Sequence, residues 1–139
     1  MPRFTHAIDL PLSPARALPL FTPRGEEAWV PGWDPRYIDP ADGATAEGMI
    51  FSTGDDSTWW TCLRWVPPAE ARYLRLTPGV KAARVGILCS SLPSGSRIAV
   101  SYDWHALNAE GEAEIAAITP EGFAAEIEQW RVLVLAAQG

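Results

Sequence analysis

The chain has 139 residues, 47% of them hydrophobic and 20% charged, which suits one folded domain and leaves too little length for two. Its net charge of −6 argues against a nucleic-acid binder, which would carry a basic surface, and against an anionic membrane surface as partner. No stretch approaches the roughly 18 apolar residues of a membrane span, and the first residues lack an apolar signal core. We therefore expect a single cytoplasmic domain over residues 1–139, monomeric or homodimeric, without nucleic acid and without a membrane span.

The first part of the chain predicts one strand followed by two short helices. Residues 3–10 alternate between apolar and polar side chains, the pattern of a β-strand. Ser13-Pro14 and Thr22-Pro23 each place a capping residue before a proline, which is a usual way for a helix to begin. Pro19 should shorten or bend the first helix, and Pro31-Gly32 should end the second.

The middle of the chain predicts an antiparallel meander. Short apolar runs alternate with turns rich in glycine, proline and aspartate, and such even spacing is typical of strands joined by hairpins. The predicted strands cover residues 49–53, 58–66, 72–77, 84–92 and 97–107. Residues 108–112 are polar, and we interpret them as a loop before the last helix.

The last helix is predicted from a start signal and a single apolar stripe. Thr119 can cap it, Pro120 suits its first position, and Phe123, Ile127, Trp130 and Val134 follow at steps of four, three and four. A helix from Pro120 to about Ala137 would be about 27 Å long. Because this helix and the strand-rich body must bury their apolar faces against each other, the layout suggests a cavity between them.

Metal and nucleophile chemistry find little support in the sequence. His6 and His105 form no zinc-binding spacing with each other or with the two cysteines. Cys62 and Cys89 lie in apolar strand-like runs, so we interpret them as buried thiols. No glycine-rich loop joins a strand to a helix as a phosphate cradle. We expect no metal and no cofactor, and we assign no catalytic residue.

Polar groups that could face a cavity are few. Tyr102 alternates in step with Ile98, Val100 and Trp104, so its hydroxyl is the best internal candidate, whereas Asp103 and His105 should lie on the outer face. Arg75 alternates with Leu74 and Leu76, and either set could point inward. If Arg75 points inward, it is a buried cation that needs a partner or an anionic ligand group.

The seven tryptophans are the most unusual feature of the composition. Aromatic stripes belong more often to a filled core than to a cavity, and from the residues alone a filled core is favoured. On strand 58–66, strict alternation places Trp59 and Trp65 on one face and Trp60 on the other, without deciding which face is internal. The candidate cavity residues are Trp33, Phe51, Trp65, Arg75, Tyr102, Trp104, Phe123, Ile127 and Trp130.

Four segments of the chain carry a family resemblance: LFTPRGEEAWVPGWDP (20–35), EGMIF (47–51), RLTPG (75–79) and FAAEIEQW (123–130). The first is similar to the FTPEGE…WVPGW run of a group of small bacterial proteins in the START-related SRPBCC superfamily, and the other three are weaker matches to the same group. The resemblance implies an α+β helix-grip fold. In this fold a curved antiparallel sheet of about six to seven strands wraps around a long C-terminal helix, with two short helices after strand 1 and an apolar cavity inside.

The resemblance also implies a range of functions. Superfamily members bind lipids, sterols, hormones or polyketides, and some catalyse cyclisation or dehydration. We expect a non-catalytic binder of a small hydrophobic molecule, whether lipid, sterol-like or aromatic polyketide-like. One alternative is a polyketide cyclase or dehydratase in which Tyr102 or Arg75 stabilises an enolate. Another is an interaction module like the co-chaperone branch. Two convergent titratable groups in the cavity would favour the enzyme, and a large exposed apolar patch would favour the interaction module.

Overall fold

A seven-stranded antiparallel sheet dominates the computed structural model, which describes residues 2–138. The strand order is β1-β7-β6-β5-β4-β3-β2, so strands β2 to β7 form a continuous meander and β1 closes its far edge against β7. The predicted meander is therefore confirmed. The strands are β1 (Arg3–Leu10), β2 (Arg36–Asp39), β3 (Ile50–Thr53), β4 (Thr58–Val66), β5 (Glu70–Thr77), β6 (Lys81–Leu92) and β7 (Gly95–Ala106).

The two predicted short helices lie between β1 and β2. Helix α1 (Pro14–Ala17) passes directly into a single 3-10 turn (Leu18–Phe21) that contains Pro19, and α2 (Pro23–Glu26) follows. Thr22 caps α2, because its Oγ1 accepts a hydrogen bond from the Gly25 N–H at 3.1 Å. A Cβ on Gly25 would lie 1.9 Å from the Pro19 carbonyl oxygen, so only glycine allows these two turns to pack so closely.

The long C-terminal helix, α4 (Pro120–Gln138), packs across the inner face of the sheet. Phe123, Ile127 and Val134 of the predicted stripe are buried, and Trp130 is partly buried. The helix is also tied to β1, since Arg131 Nε donates to the Asp9 carbonyl oxygen at 3.0 Å. A curved antiparallel sheet around one long helix, with short helices after the first strand, is the helix-grip fold. None of the helices within residues 2–138 is both long enough and apolar enough to cross a membrane.

The expected loop at residues 108–112 is wrong, because a further helix, α3 (Ala109–Ala116), begins there. Asn108 caps this helix through its Oδ1, which accepts from the Gly111 N–H at 2.8 Å. Gly111 is buried at the Val80 carbonyl, where a Cβ would come within 1.9 Å of the oxygen. The polar residues of the segment lie on the exposed side of a short amphipathic helix, which composition alone could not distinguish from a loop.

A β-bulge in β4 overturns the predicted pairing of tryptophan faces. Trp60 pairs with Arg75 and Cys62 with Tyr73, but the register then shifts, and Trp65 pairs with Ala71. One extra residue in β4 reverses the alternation, so Trp60 and Trp65 share the inner face and Trp59 lies on the outer one. Strict alternation had placed Trp59 and Trp65 together.

The inner face of the central strands forms the core under α4. Ile98, Val100 and Trp104 of β7 are buried there, together with Val85 and Ile87 of β6. The predicted inner face of β7 is thus confirmed.

Candidate functional site

A pocket of about 230 Å³ opens between the inner face of the sheet, the segment that follows β1, and α4. The segment after β1 contributes Phe21, Pro23, Glu26, Val30 and Trp33. The sheet contributes Phe51, Thr53, Trp60, Tyr73, Arg75, Val85, Ile87 and Tyr102, and α4 contributes Glu126 and Trp130. Since Glu126 is exposed, the rim of the pocket reaches the protein surface at α4.

Aromatic rings form much of the apolar wall. The Phe51 and Trp60 rings stack with their planes 7° apart and their centroids 5.6 Å apart. The Trp33 ring lies edge-on to both of them, and its centroid is 6.2 Å from that of Phe51 and 6.0 Å from that of Trp60. Trp33 is fixed by its indole N–H, which donates to the Pro23 carbonyl oxygen at 2.9 Å. This wall offers flat faces against which a ring-bearing ligand could stack.

Arg75 enters the pocket from β5 and has no protein acceptor for part of its guanidinium group. Its central carbon lies 5.5 Å from the ring centroid of Trp60 and 5.4 Å from that of Trp104. Its Nε atom is buried and makes no hydrogen bond within residues 2–138. Arg75 also takes part in none of the ion pairs found among those residues. Arg75 is thus a partly desolvated cation without an ion-pair partner among the described residues, and such a group favours an anionic or hydrogen-bond-accepting ligand.

Glu26 brings a carboxyl group to the same pocket from the last residue of α2. Burial raises the pKa of Glu26 to about 8, because a carboxylate loses hydration there. The side chain is therefore mostly protonated and neutral at pH 7. The next residue, Glu27, is exposed, pairs with Arg24 at 3.1 Å and accepts a hydrogen bond from the Tyr37 hydroxyl. Adjacent glutamates thus meet opposite environments.

Two phenols complete the polar part of the pocket. Burial raises the pKa of Tyr102 to about 12, and the positive charge of Arg75 opposes that rise. Burial also raises the pKa of Tyr73, whose hydroxyl donates to the Phe21 carbonyl oxygen at 3.3 Å. Both phenols are neutral hydrogen-bonding groups at physiological pH.

The structure brings together five of the nine residues proposed from the sequence. The residues that line the pocket are Trp33, Phe51, Arg75, Tyr102 and Trp130. Trp104 and Phe123 lie behind the wall, with ring centroids 5.6 and 5.7 Å from that of Tyr102. Ile127 is completely buried on the face of α4 that packs against the core. Trp65 packs against the core farther along β4, and its backbone N–H donates to Glu47 Oε2 at 3.4 Å.

Sequence reasoning missed several residues of the pocket, above all Glu26, Trp60 and Tyr73. Tyr73 could have been found, because it shares a face of β5 with Arg75 and the two had to point the same way. Glu26 gave no such signal, since an acid near the start of a helix is expected for electrostatic reasons alone. Only the packing of α2 against the sheet distinguishes Glu26 from Glu27.

Neither thiol is suited to nucleophilic chemistry. Burial raises the pKa of Cys62 to about 11, and its Sγ donates to the Arg64 carbonyl oxygen at 3.4 Å. Burial raises the pKa of Cys89 as well. A thiol with a raised pKa forms little thiolate at neutral pH and is a poor nucleophile. Within residues 2–138, no three His, Cys, Asp or Glu side chains converge on a possible metal position.

The arrangement can hold a flat apolar body against aromatic rings while Arg75, Tyr102 and Glu26 meet its polar end. It also places an arginine without an ion-pair partner within residues 2–138 and a carboxyl group of raised pKa in one pocket, and acid–base chemistry uses titratable groups of this kind.

In sequence, no family model and no curated protein matches this chain. Solved structures with the same fold do exist. Protein MLL2253 from Mesorhizobium loti is 15% identical with a TM-score of 0.69, and the match covers 96% of each chain. DynU16, a protein in the dynemicin biosynthetic locus, is 12% identical with a TM-score of 0.65 over 95% of this chain and 46% of its own. An HSP90 activator from Plasmodium falciparum, PFC0360w, is 10% identical with a TM-score of 0.57 over 73% and 71%. Likeness at such low identities shows the fold alone.

Proposed function

We propose that this protein belongs to the SRPBCC superfamily and binds a small, largely apolar, ring-bearing ligand in the pocket between the sheet and α4. The observation that carries the proposal is Arg75, an unpaired cation at the polar end of an aromatic-lined pocket. Apolar burial against Phe51, Trp60 and Trp130 supplies affinity, and Arg75 orients the polar end of the ligand. The motif run at residues 20–35 and the shared helix-grip fold support the superfamily assignment.

The size of the pocket narrows the range of ligands. At about 230 Å³ it is smaller than the roughly 300–1,000 Å³ of most drug-sized sites. Compact ring compounds therefore fit better than sterols or long acyl chains, which would require the walls to move. Of the ligand types implied by the resemblance, a small aromatic polyketide-like compound suits this volume best.

The binding proposal can be tested with ring compounds of increasing size, measured by tryptophan fluorescence and thermal shift. Trp33, Trp60 and Trp130 line the pocket, so an occupied pocket should change the intrinsic fluorescence in a saturable way. A ligand at 100 times its dissociation constant should stabilise the protein by about 2.7 kcal/mol.

Arg75→Met should weaken binding of compounds with a polar end, whereas Arg72→Met, on the outer face of the same strand, should not. If no compound produces a saturable signal or any stabilisation, the binding proposal fails.

A second candidate is an enzyme that transfers protons on a carbonyl-bearing ligand. One specific observation favours it, namely that Glu26 shares the pocket with Arg75 and Tyr102. Glu26 would give or take a proton with a pKa near the working pH, and Arg75 and Tyr102 would stabilise the negative oxygen of an enolate. DynU16, a protein in the dynemicin biosynthetic locus, shows that this fold occurs in a biosynthetic context, but it supplies no reaction for this chain.

The enzyme candidate predicts exchange of hydrogen at the carbon next to the ligand carbonyl. Proton NMR in D₂O of any ketone that binds should show loss of that signal with the wild-type protein. Glu26→Gln should abolish the exchange and still bind the ketone. Binding without exchange would leave the non-catalytic binder as the function. The interaction-module alternative has only the shared fold of the HSP90 activator in its favour.

A further inference from the structure

We propose that the polar end of the pocket is an anion subsite, in which the Arg75 guanidinium and the Glu26 carboxyl group together hold the carboxylate of a small, ring-bearing acid. This inference rests on the proposed binding function and specifies its ligand class. Three observations support it: the unmet hydrogen-bonding capacity of Arg75, the position of Glu26 and the charges around them.

The hydrogen-bond donors and the charge of Arg75 favour a carboxylate as the polar group of the ligand. Its side chain offers a planar set of N–H donors, and its buried Nε–H has no acceptor within residues 2–138. A carboxylate matches such a planar donor set with two parallel hydrogen bonds and also neutralises the charge. A neutral carbonyl would meet one donor and leave the cation uncompensated. Trp60 and Trp104 lie beside the guanidinium group and restrict its orientation.

The protonation state of Glu26 determines whether a carboxylate can bind beside it. Glu26, Arg75 and Tyr102 all line the pocket. An ionised Glu26 would repel a bound carboxylate. A protonated Glu26 instead donates a hydrogen bond to it, so that two carboxyl groups share one proton. The buried position of Glu26, with its pKa raised to about 8, keeps that proton in place at neutral pH.

The other ionisable groups facing the pocket do not replace Glu26 in this role. From the sheet come Arg75, Tyr73 and Tyr102, and the two phenols have pKa values raised far above neutral pH. From α4 comes Glu126, which is exposed at the rim. Glu26 is therefore the group whose ionisation between pH 7 and 9.5 changes the charge inside the pocket.

Binding of an anion should be coupled to the protonation of Glu26. The bound anion stabilises the protonated form of Glu26, so binding takes up a proton wherever free Glu26 is ionised. Affinity should be constant well below pH 8 and fall about tenfold per pH unit above it. With the pKa of Glu26 at about 8, the dissociation constant should rise about thirtyfold between pH 7 and 9.5.

Three matched probes test the subsite: naphthoate, naphthamide and naphthylmethylamine, with benzoate as a smaller acid. Isothermal titration calorimetry at pH 7 and 9.5 gives the dissociation constants, and repetition in buffers of different ionisation enthalpy gives the protons taken up. The acids should bind at least about tenfold more tightly than the amide and the amine at pH 7, and only the acids should weaken at pH 9.5.

Two variants and one control complete the test. Glu26→Gln keeps a neutral hydrogen-bond donor, so it should retain affinity for naphthoate at pH 7 and lose the pH dependence. Arg75→Met should bind acid and amide equally. Glu27→Gln, one residue away but outside the pocket wall, should behave like the wild type. Circular dichroism confirms that each variant is folded before titration.

The outcomes separate this inference from the function on which it rests. If the acid and the amide bind equally well and without pH dependence, the pocket binds rings but the anion subsite is wrong. Preference for the amine, with release of protons, would show that Glu26 acts as an anion and would also overturn the inference. If none of the probes binds, both the subsite and the binding function are contradicted.

Discussion

Two arginines on β5, three residues apart, show that charges are paired on the outer face of the sheet but not on the inner face. Arg72 lies on the outer face and is paired with Glu70, which also accepts from Arg64 Nε at 2.7 Å. The hydrogen bonds from these arginines hold the pKa of Glu70 below its usual value. Arg75, on the inner face, has no such partner within residues 2–138. The outer face neutralises its charges within the protein, whereas the inner face leaves one cation available.

The same contrast separates Glu26 from Glu27. Glu27 is exposed and engaged by Arg24 and Tyr37, while Glu26 faces the pocket with its pKa raised to about 8 by burial. An isolated desolvated charge costs free energy that a paired surface charge does not. Polar groups retained at such a cost are a common mark of functional sites, which is why the inner face carries the functional proposal.

The largest change in the free energy of unfolding should come from a substitution in the close-packed part of the inner face. Ile127 is completely buried on the inner face of α4. Ile127→Ala should lower the free energy of unfolding by about 2–5 kcal/mol, because a void remains in a close-packed region. Trp130 lies on the same stripe but borders the pocket, so part of its surface already lacks packing partners. Trp130→Ala should cost less, about 1–2 kcal/mol.

Chemical denaturation of the two variants measures this difference, and ligand screens show whether Trp130→Ala admits bulkier compounds. A cost above about 4 kcal/mol for Trp130→Ala, with no change in ligand range, would mean that Trp130 belongs to a filled core instead of a pocket wall.

The next largest effect should appear in the pH dependence of stability. Because the folded-state pKa of Glu26 is raised from 4.5 to about 8, ionisation opposes folding. This contribution is favourable below pH 4.5, is lost as the pH rises from 4.5 to 8, and stays lost above pH 8. Since the side chain is only partly buried, we expect Glu26→Gln to be more stable than the wild type by roughly 2 kcal/mol at pH 9.

At pH 4.5 the wild type and Glu26→Gln should have nearly equal free energies of unfolding. Glu27→Gln, at the adjacent exposed glutamate, is the matched control and should not reproduce the pH-dependent gain of Glu26→Gln. Urea unfolding at several pH values checks both statements. An equal difference between Glu26→Gln and the wild type at every pH would contradict the buried position of Glu26.

The smallest expected changes in the free energy of unfolding are those of the two arginine variants, and they should differ in sign. Arg75→Met removes an uncompensated cation and places an apolar side chain against Trp60 and Trp104, so it should stabilise the free protein by about 1 kcal/mol. Arg72→Met removes an exposed ion pair and should lower stability by about 0–1 kcal/mol. Urea unfolding without ligand measures both. If Arg75→Met is clearly destabilised, Arg75 serves the fold and the contrast between the two faces does not hold.

The sequence by itself determined most of the secondary structure and the general architecture. Alternation in β1 and β7, the proline starts of α1 and α2, and the stripe of α4 are local patterns, and each predicted its element because neighbouring residues alone impose the required geometry. The inward direction of Tyr102 followed from the same rule, as did the division of the β7 side chains between the two faces.

Only the tertiary structure decided which polar groups meet in the pocket. The direction of Arg75 depends on which face of β5 packs under α4, and the position of Trp65 depends on a bulge whose extra residue leaves no mark in composition. Glu26 and Glu27 look alike in sequence, and α2 must dock against the sheet before Glu26 lines the pocket while Glu27 stays exposed. Burial and charge pairing arise between segments that are distant along the chain, so local pattern could not supply them.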